Sequence, residues 1–159
     1  MSMEIYVLSP RRLNSIAEWQ KAIDIEGFSL VLNTERPFGE LQGFLPARWQ
    51  QGQAGFECDH WSVRDAVEGY PNIKPDRNWK YCLAFRWGAN VRACLGAYMA
   101  ASAYATATDG IVLDCDTAKL LTPEQARQMA AKIEKELPSF ERAMQSTLAQ
   151  IERRFRPSS

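Results

Sequence analysis

The segment WKYCLAFRW, residues 79–87, decides the fold class because it has the pattern of a β-strand throughout. Trp79, Tyr81, Leu83, Phe85 and Trp87 alternate with Lys, Cys, Ala and Arg, and side chains two residues apart share one face of a strand. The alternation predicts one aromatic face packed on helices and a second, more open face. Strands with two such different faces are typical of antiparallel sheets.

Downstream of this segment the sequence predicts a helix and a short strand. Asn90 is a favoured N-cap residue for a helix that ends near Gly110. Many of the helix residues are small, which permits close packing on a sheet. Residues 111–114 have the composition of a strand. The carboxylates of Asp114 and Asp116 follow it, and we interpret them as turn residues, because Asp side chains bond to the nearby backbone in turns.

A long helix then begins after Thr122, its N-cap residue, with Pro123 at the first helical position and Gln125 in the capping-box position. It carries one apolar stripe at helical spacing. The stripe consists of Met129, Ile133, Leu137, Phe140, Met144, Leu148, Ile151 and Phe155. Pro138 lies within the helix, yet the stripe keeps its phase across it. We therefore expect a kink or two nearly collinear helices.

Upstream of residue 79 we predict a helix that begins at Ser15, where Glu18 completes a capping box. The strands predicted in this half span residues 3–8, 28–32 and 54–61. Two long connections separate them from the later elements, at residues 33–53 and 64–78. The order of elements predicts a single α+β domain over residues 1–159. We expect one mostly antiparallel sheet with helices on one face, a ferredoxin-like βαββαβ core and a long C-terminal helix.

Composition and charge argue against several classes of protein. The 159 residues include nineteen basic and nineteen acidic side chains, so the net charge is zero, and the pI is near 6.6. This balance argues against nucleic-acid binding, and we interpret the basic group Arg153, Arg154 and Arg156 as a solvated helix end. We interpret residues 1–8 as a strand rather than a signal peptide, and we expect no membrane-spanning helix, since no stretch approaches the ~20 apolar residues that one needs. The four cysteines form no C-x-x-C pair, which predicts free thiols and a cytoplasmic protein.

Reactive side chains cluster only at Cys58-Asp59-His60-Trp61. Cys58 and His60 would share one strand face, as metal ligands or a nucleophile pair could, but a metal site needs further ligands. We expect buried, inert cysteines and a packed histidine, with no catalytic residue, metal or cofactor. The alternative is a small enzyme or ligand-binding domain that uses His60 and Cys58, with residues 33–53 as a lid.

Aromatic side chains are frequent in and beside the two long connections. They are Phe38, Phe44, Trp49, Trp61, Tyr70 and Trp79. Most such rings cover a sheet, but interfaces also favour Trp and Tyr as anchors, so we expect at least one of the six to be exposed. Glu57, Asp59 and Trp61 share one strand face, and Trp49 lies in the loop just before. We predict that these four residues form a binding surface.

Four segments resemble small uncharacterised bacterial proteins, some of which are immunity proteins of polymorphic or contact-dependent toxin systems. They are LQGFLP (41–46), AGFE (54–57), ATATDGIVLD (105–114) and LLTPEQA (120–126). The resemblance covers about a third of the chain. It implies an α+β fold, a cytoplasmic protein and a protein partner, the toxin, and it implies no catalytic residue. We therefore expect a binding protein that neutralises a toxin. A third possibility is an oligomerisation module built on the long helix.

Overall fold

The fold is known from a computed structural model that describes residues 2–155. Arg156, the last member of the predicted basic group, lies outside the described residues, as does Met1. The elements, in chain order, are β1 (Met3–Ser9), α1 (Ile16–Ile25), β2 (Leu30–Leu32), a 3-10 turn (Phe38–Glu40), β3 (Phe44–Leu45), β4 (Ala47–Trp49), β5 (Gly52–Gln53), β6 (Phe56–Trp61), α2 (Val63–Glu68), β7 (Tyr81–Trp87), α3 (Val91–Thr108), β8 (Ile111–Asp114), β9 (Lys119–Leu121) and α4 (Pro123–Phe155).

The main sheet has six strands in the order β3-β6-β7-β1-β8-β9, and every neighbouring pair is antiparallel. The predicted α+β class, with a mostly antiparallel sheet and a long C-terminal helix, is therefore confirmed. Along the chain β1, α1, β6, β7, α3 and β8 follow the order β-α-β-β-α-β, and these four strands are neighbours in the main sheet, whereas the ferredoxin-like core stays a prediction. The strand predicted at residues 79–87 begins at Tyr81 rather than Trp79.

A second sheet, of the strands β2, β4 and β5, was not expected. It forms inside the connection at residues 33–53, together with β2, which the sequence pattern assigned to the main sheet. Leu30 and Leu32 point into the core, as do Ala47 and Trp49 on the opposing strand. The connection is therefore ordered by a small sheet of its own, which buries apolar side chains although the segment is rich in Gly and Pro.

Helices cover the two faces of the main sheet unequally. The larger core lies between one face and α1, α3 and α4, with Trp19 at its centre among the rings of Phe38, Phe56, Phe85 and Tyr104. The predicted helices accordingly lie on one face. The other face carries the short helix α2, which lies where the sequence pattern predicted only a connection. The connection at residues 69–80 continues this cover.

The helix α3 is buried on nearly all sides, because it lies between the main sheet, the small sheet, α1 and α4. Its cap is the predicted one: the Asn90 side chain accepts hydrogen bonds from the N–H groups of Arg92 and Ala93. The residue in the left-handed conformation at its end is Asp109, not Gly110. Gly110 is required for another reason, since a β-carbon there would meet the carbonyl oxygen of Leu8 at 2.9 Å.

The helix α4 runs through Pro138 as one helix rather than two. Pro138 cannot donate to the carbonyl four residues earlier, but it is exposed, so water can satisfy that carbonyl. The predicted capping box is present: the N–H of Gln125 donates to the Thr122 hydroxyl, and the N–H of Thr122 donates to the Gln125 side chain. No helix in residues 2–155 is long and apolar enough to span a bilayer.

Candidate functional site

The strand β6 divides its side chains between the core and an outer surface. Phe56 and Cys58 are buried in the larger core, whereas Glu57 and Trp61 are exposed on the opposite face and Asp59 lies between them, half-buried. This is the alternation that the sequence predicts for a strand. The prediction that Glu57, Asp59 and Trp61 share a face is therefore confirmed, while their role in binding stays a prediction.

The surface around Glu57 is the part of the sheet that α2 does not cover. The pairing of the strands β3, β6, β7 and β1 places four residues in one row across the sheet, namely Phe44, Glu57, Arg86 and Glu4. Arg86 lies between two carboxylates: its Nε is 3.0 Å from Glu4 Oε1, and its Nη1 is 3.9 Å from Glu57 Oε2. The guanidinium is thereby held in place, and the row keeps an excess of negative charge.

Two aromatic rings border these carboxylates. Phe44 is 48% exposed at the sheet edge, and Trp61 is 41% exposed at the far end of β6. The Trp61 ring centroid lies 5.7 Å from that of Tyr6, whose hydroxyl donates to Glu4 Oε2 at 2.8 Å. Trp61 is thus positioned by packing on one side and open to solvent on the other. Of the six rings considered from sequence, these two are exposed, which confirms that expectation.

Asp59 contributes a negative charge and also a hydrogen bond that holds the backbone at Gly43. Its Oδ1 accepts the backbone N–H of Gly43 at 2.9 Å, and Gly43 has a φ of 79°, a conformation that favours glycine. This contact fixes the turn that leads into β3 and so positions Phe44. Substitutions at Asp59 must therefore separate the loss of the charge from the loss of the acceptor.

We call the following six residues the acidic face: Glu4, Phe44, Glu57, Asp59, Trp61 and Arg86. Three carboxylates and one guanidinium give it a net charge of about −2 at neutral pH. Asp116 lies beside it, and its pKa is raised by burial and by the nearby carboxylates of Asp114 and Glu4. Burial and the same group, Glu4, also raise the pKa of Tyr6. Burial is the larger cause of both pKa shifts, and Glu4 adds to each.

Trp49, the fourth residue predicted for the surface, lies elsewhere. It is 5% exposed, faces the larger core from β4 in the small sheet, and lies under the guanidinium of Arg92 at 5.5 Å from the ring centroid. The structure therefore does not bring Trp49 together with the other three. Proximity in the chain misled the sequence argument, because the small sheet turns β4 away from the outer face of β6.

The alternative site, Cys58 and His60, shows no catalytic arrangement among the described residues. Cys58 is fully buried, and burial followed by the charge of Asp59 raises its pKa well above the usual range. His60 Nε2 donates to the carbonyl oxygen of Phe38 at 2.7 Å, and its ring packs edge-on against the Phe38 ring at 4.9 Å between centroids. The imidazole thus ties the 3-10 turn to β6 instead of activating a thiol.

The remaining thiols are also protected from ionisation. Burial, as the main cause, raises the pKa of Cys82 to about 12 and those of Cys94 and Cys115 to about 11. All four cysteines are free. A nucleophilic cysteine requires a lowered pKa, so none of these thiols has the required environment. Within the described residues, no three His, Cys, Asp or Glu side chains are grouped as metal ligands.

A groove on this side of the sheet lies near the acidic face, since Tyr6 packs against Trp61 and also against Tyr70, a residue that lines the groove. It has a volume of about 620 Å³ and runs between α2 and the connection at residues 69–80, where Val63, Tyr70, Ile73 and Trp79 line it. Sequence reasoning missed it, and it also missed Glu4 and Arg86. The alternation in β1 and β7 places these two side chains on one face, but only the strand order makes them neighbours of Glu57.

No protein-family model, curated protein or solved structure matches this chain.

Proposed function

We propose that this is a cytoplasmic binding protein which uses the acidic face to hold a basic protein partner, and that it acts as an immunity-like protein which neutralises a toxin. The observation that carries the proposal is the pair of exposed rings, Phe44 and Trp61, on either side of carboxylates that no helix covers. Aromatic anchors next to charges are the usual composition of an interface centre and its rim. The free thiols suit a reducing compartment.

The acidic face is too small to form a specific interface by itself. Glu57 and Trp61 are four residues apart, about 13 Å along a strand, and four strands span about 14 Å. The resulting area of roughly 200 Å² is about a quarter of what one partner contributes to a specific interface. We therefore expect the acidic face to supply one part of the interface, with its rings as anchors and its carboxylates at the rim, and the groove between α2 and residues 69–80 to extend it.

Charge selects the class of partner. A face with net negative charge repels the phosphates of nucleic acids and attracts basic protein surfaces, such as the cleft of a toxin that acts on a polyanion. Arg86 adds one fixed cation between two carboxylates, so the pattern of charge, and not only its sum, distinguishes partners. Binding should weaken as the salt concentration rises, because salt screens the attraction between exposed charges. The screening length is about 8 Å at physiological ionic strength and becomes shorter at higher salt.

The test is comparative affinity capture from the organism that encodes the chain. Glu57→Gln with Asp59→Asn removes two charges but keeps an oxygen to accept the Gly43 N–H, and Trp61→Ala removes an anchor. The matched controls are Glu124→Gln with Glu134→Gln, on the other side of the sheet, and Ile25→Ala, which truncates another exposed side chain.

We expect a protein that the wild-type chain and both controls retain, and that the variants of the acidic face retain at least tenfold less. Its affinity, measured with purified components, should fall with added salt. If every captured protein binds all variants equally, the acidic face is not the interface. Immunity is tested separately by co-expression: a partner that harms cells alone and not with this chain supports toxin neutralisation, and a harmless partner contradicts it.

A further inference from the structure

The helix α4 extends beyond the body that it packs against. Its first half lies along α3, and the two helices are joined where Arg92 Nε donates to Glu141 Oε1 at 2.6 Å. Beyond this ion pair, every residue from Arg142 to Arg154 is exposed except Ala149, which is half-buried. We call residues 142–154 the overhang. It is about 20 Å long, or nearly four turns.

The apolar stripe of α4 continues onto the overhang without a change of phase. Leu137 is buried in the core, and the next members, Phe140, Met144, Leu148 and Ile151, are between 45% and 56% exposed. Steps of three and four residues keep these side chains on one side of the helix. A solvated helix of this length is marginal by itself, so a stripe on it indicates a surface that another helix covers.

An apolar cleft adjoins the stripe at its base. The cleft has a volume of about 260 Å³ and lies between α4 and the end of β7, where Met3, Trp87, Val91 and Ile133 line it together with Phe140. Phe140 belongs to both features, so the uncovered apolar surface is continuous from the cleft to the tip of the overhang. A partner that lies along the stripe would therefore also close the cleft.

We propose that a second copy of this chain covers the stripe, with the two overhangs packed antiparallel about a two-fold axis near residue 146. In this register Phe140 lies opposite Ile151 of the second copy, and Met144 lies opposite Leu148 of the second copy, so large apolar side chains meet throughout. A two-fold interface requires a surface that is complementary to itself, and the stripe meets this requirement.

The charges beside the stripe are also complementary to themselves. Glu136 and Arg154 are exposed on the same flank of α4, because eighteen residues make five helical turns. The two-fold axis near residue 146 places Glu136 of each copy close to Arg154 of the other. If the partner were a different protein, α4 would not need to carry an acidic and a basic residue at positions that a two-fold axis brings together. The chain also has zero net charge, so two copies do not repel each other at long range.

The available area indicates a weak dimer. Four half-exposed apolar side chains offer on the order of 100 Å² each, and the flanks and the cleft raise the contribution of each copy to roughly 600 Å². The total of about 1,200 Å² is the lower limit of specific interfaces. Interfaces near this limit belong mostly to weak or transient complexes, so we expect a dimer that dissociates on dilution.

Sedimentation velocity of the full chain between 1 and 200 µM tests the proposal. The wild-type chain should convert from monomer to dimer across this range. Met144→Glu with Leu148→Glu should weaken the dimer at least a hundredfold, and circular dichroism should show an intact fold, since both side chains are exposed. The matched control, Ser139→Glu with Ser146→Glu, adds the same two charges to the opposite side of the helix and should still form dimers.

A charge exchange tests the antiparallel register. Glu136→Arg and Arg154→Glu should each weaken the dimer about tenfold, because each creates two like-charge contacts, and the double variant should restore the wild-type affinity. A wild-type chain that stays monomeric at 200 µM overturns the proposal, as does a dimer that the Met144 and Leu148 changes leave intact. Failure of the double variant to recover overturns the antiparallel pairing. None of these residues belongs to the acidic face, so the two proposals fail independently.

Discussion

Replacement of Gly96 in α3 by Ala should destabilise this protein, although Gly→Ala within a helix is normally stabilising. Gly96 lies in the middle of α3, where replacement by Ala normally stabilises a helix by about 1 kcal/mol. Here a β-carbon would lie far inside contact distance of the Ala54 carbonyl oxygen, and 3.2 Å from the Ala54 β-carbon. The neighbour that has to move is thus backbone, which cannot rotate away as a flexible side chain can.

The Ala54 backbone is held firmly. Its N–H donates to the carbonyl oxygen of Ala47 at 2.9 Å, and the residue is fully buried between the small sheet and β6. Overpacking of such a site costs about 1–3 kcal/mol. Because the obstructing atom is backbone, we expect the upper part of this range, about 2–3 kcal/mol. Less the gain in helix propensity of about 1 kcal/mol, Gly96→Ala should lower the free energy of unfolding by about 1–2 kcal/mol. In a chain of this size that corresponds to a fall in the melting temperature of roughly 2–8 °C.

Gly69→Ala is the matched control, because a β-carbon there meets nothing within 4 Å and the φ of −73° suits any residue. It should leave stability unchanged or raise it by up to about 1 kcal/mol. Urea denaturation followed by tryptophan fluorescence gives both free energies, and equal m-values would show that the unfolded states are comparable. A Gly96→Ala protein as stable as the wild type would show that α3 does not pack on Ala54 this closely.

Three further predictions concern the thiols and the helix cap. In the native protein Cys58 and Cys82 should react with a thiol reagent at pH 8 at least a hundredfold more slowly than in 6 M guanidinium, because both are buried; equal rates would contradict their burial. Stability should decrease as the pH rises above about 9, since thiols ionise there in the unfolded chain while the folded pKa values of Cys82 and Cys115 stay near 12 and 11; urea midpoints that stay constant from pH 8 to 10.5 would refute this. Thr122→Ala removes the hydroxyl that caps Gln125 and should cost about 1 kcal/mol in thermal denaturation, whereas Thr122→Ser should cost little.

The sequence by itself determined the features that depend on neighbouring residues in the chain. The alternation in residues 79–87 defines β7, Asn90 caps α3, and Thr122 with Gln125 begins α4, all as expected. The same alternation separates the core face of β6 from its outer face. These features can be predicted from the sequence because side chains in a strand alternate with a period of two, and because an N-cap side chain bonds to the backbone only two or three residues away.

The tertiary structure alone decided which surfaces are covered. Trp49 and Trp61 are both tryptophans beside long connections, yet the small sheet buries the first while the uncovered end of the main sheet leaves the second exposed. In α4, Leu137 and Leu148 belong to one stripe, but α3 begins beside Glu141 and does not reach Leu148, which is therefore open. Burial depends on partners that are distant in the chain, and no local period encodes where those partners end.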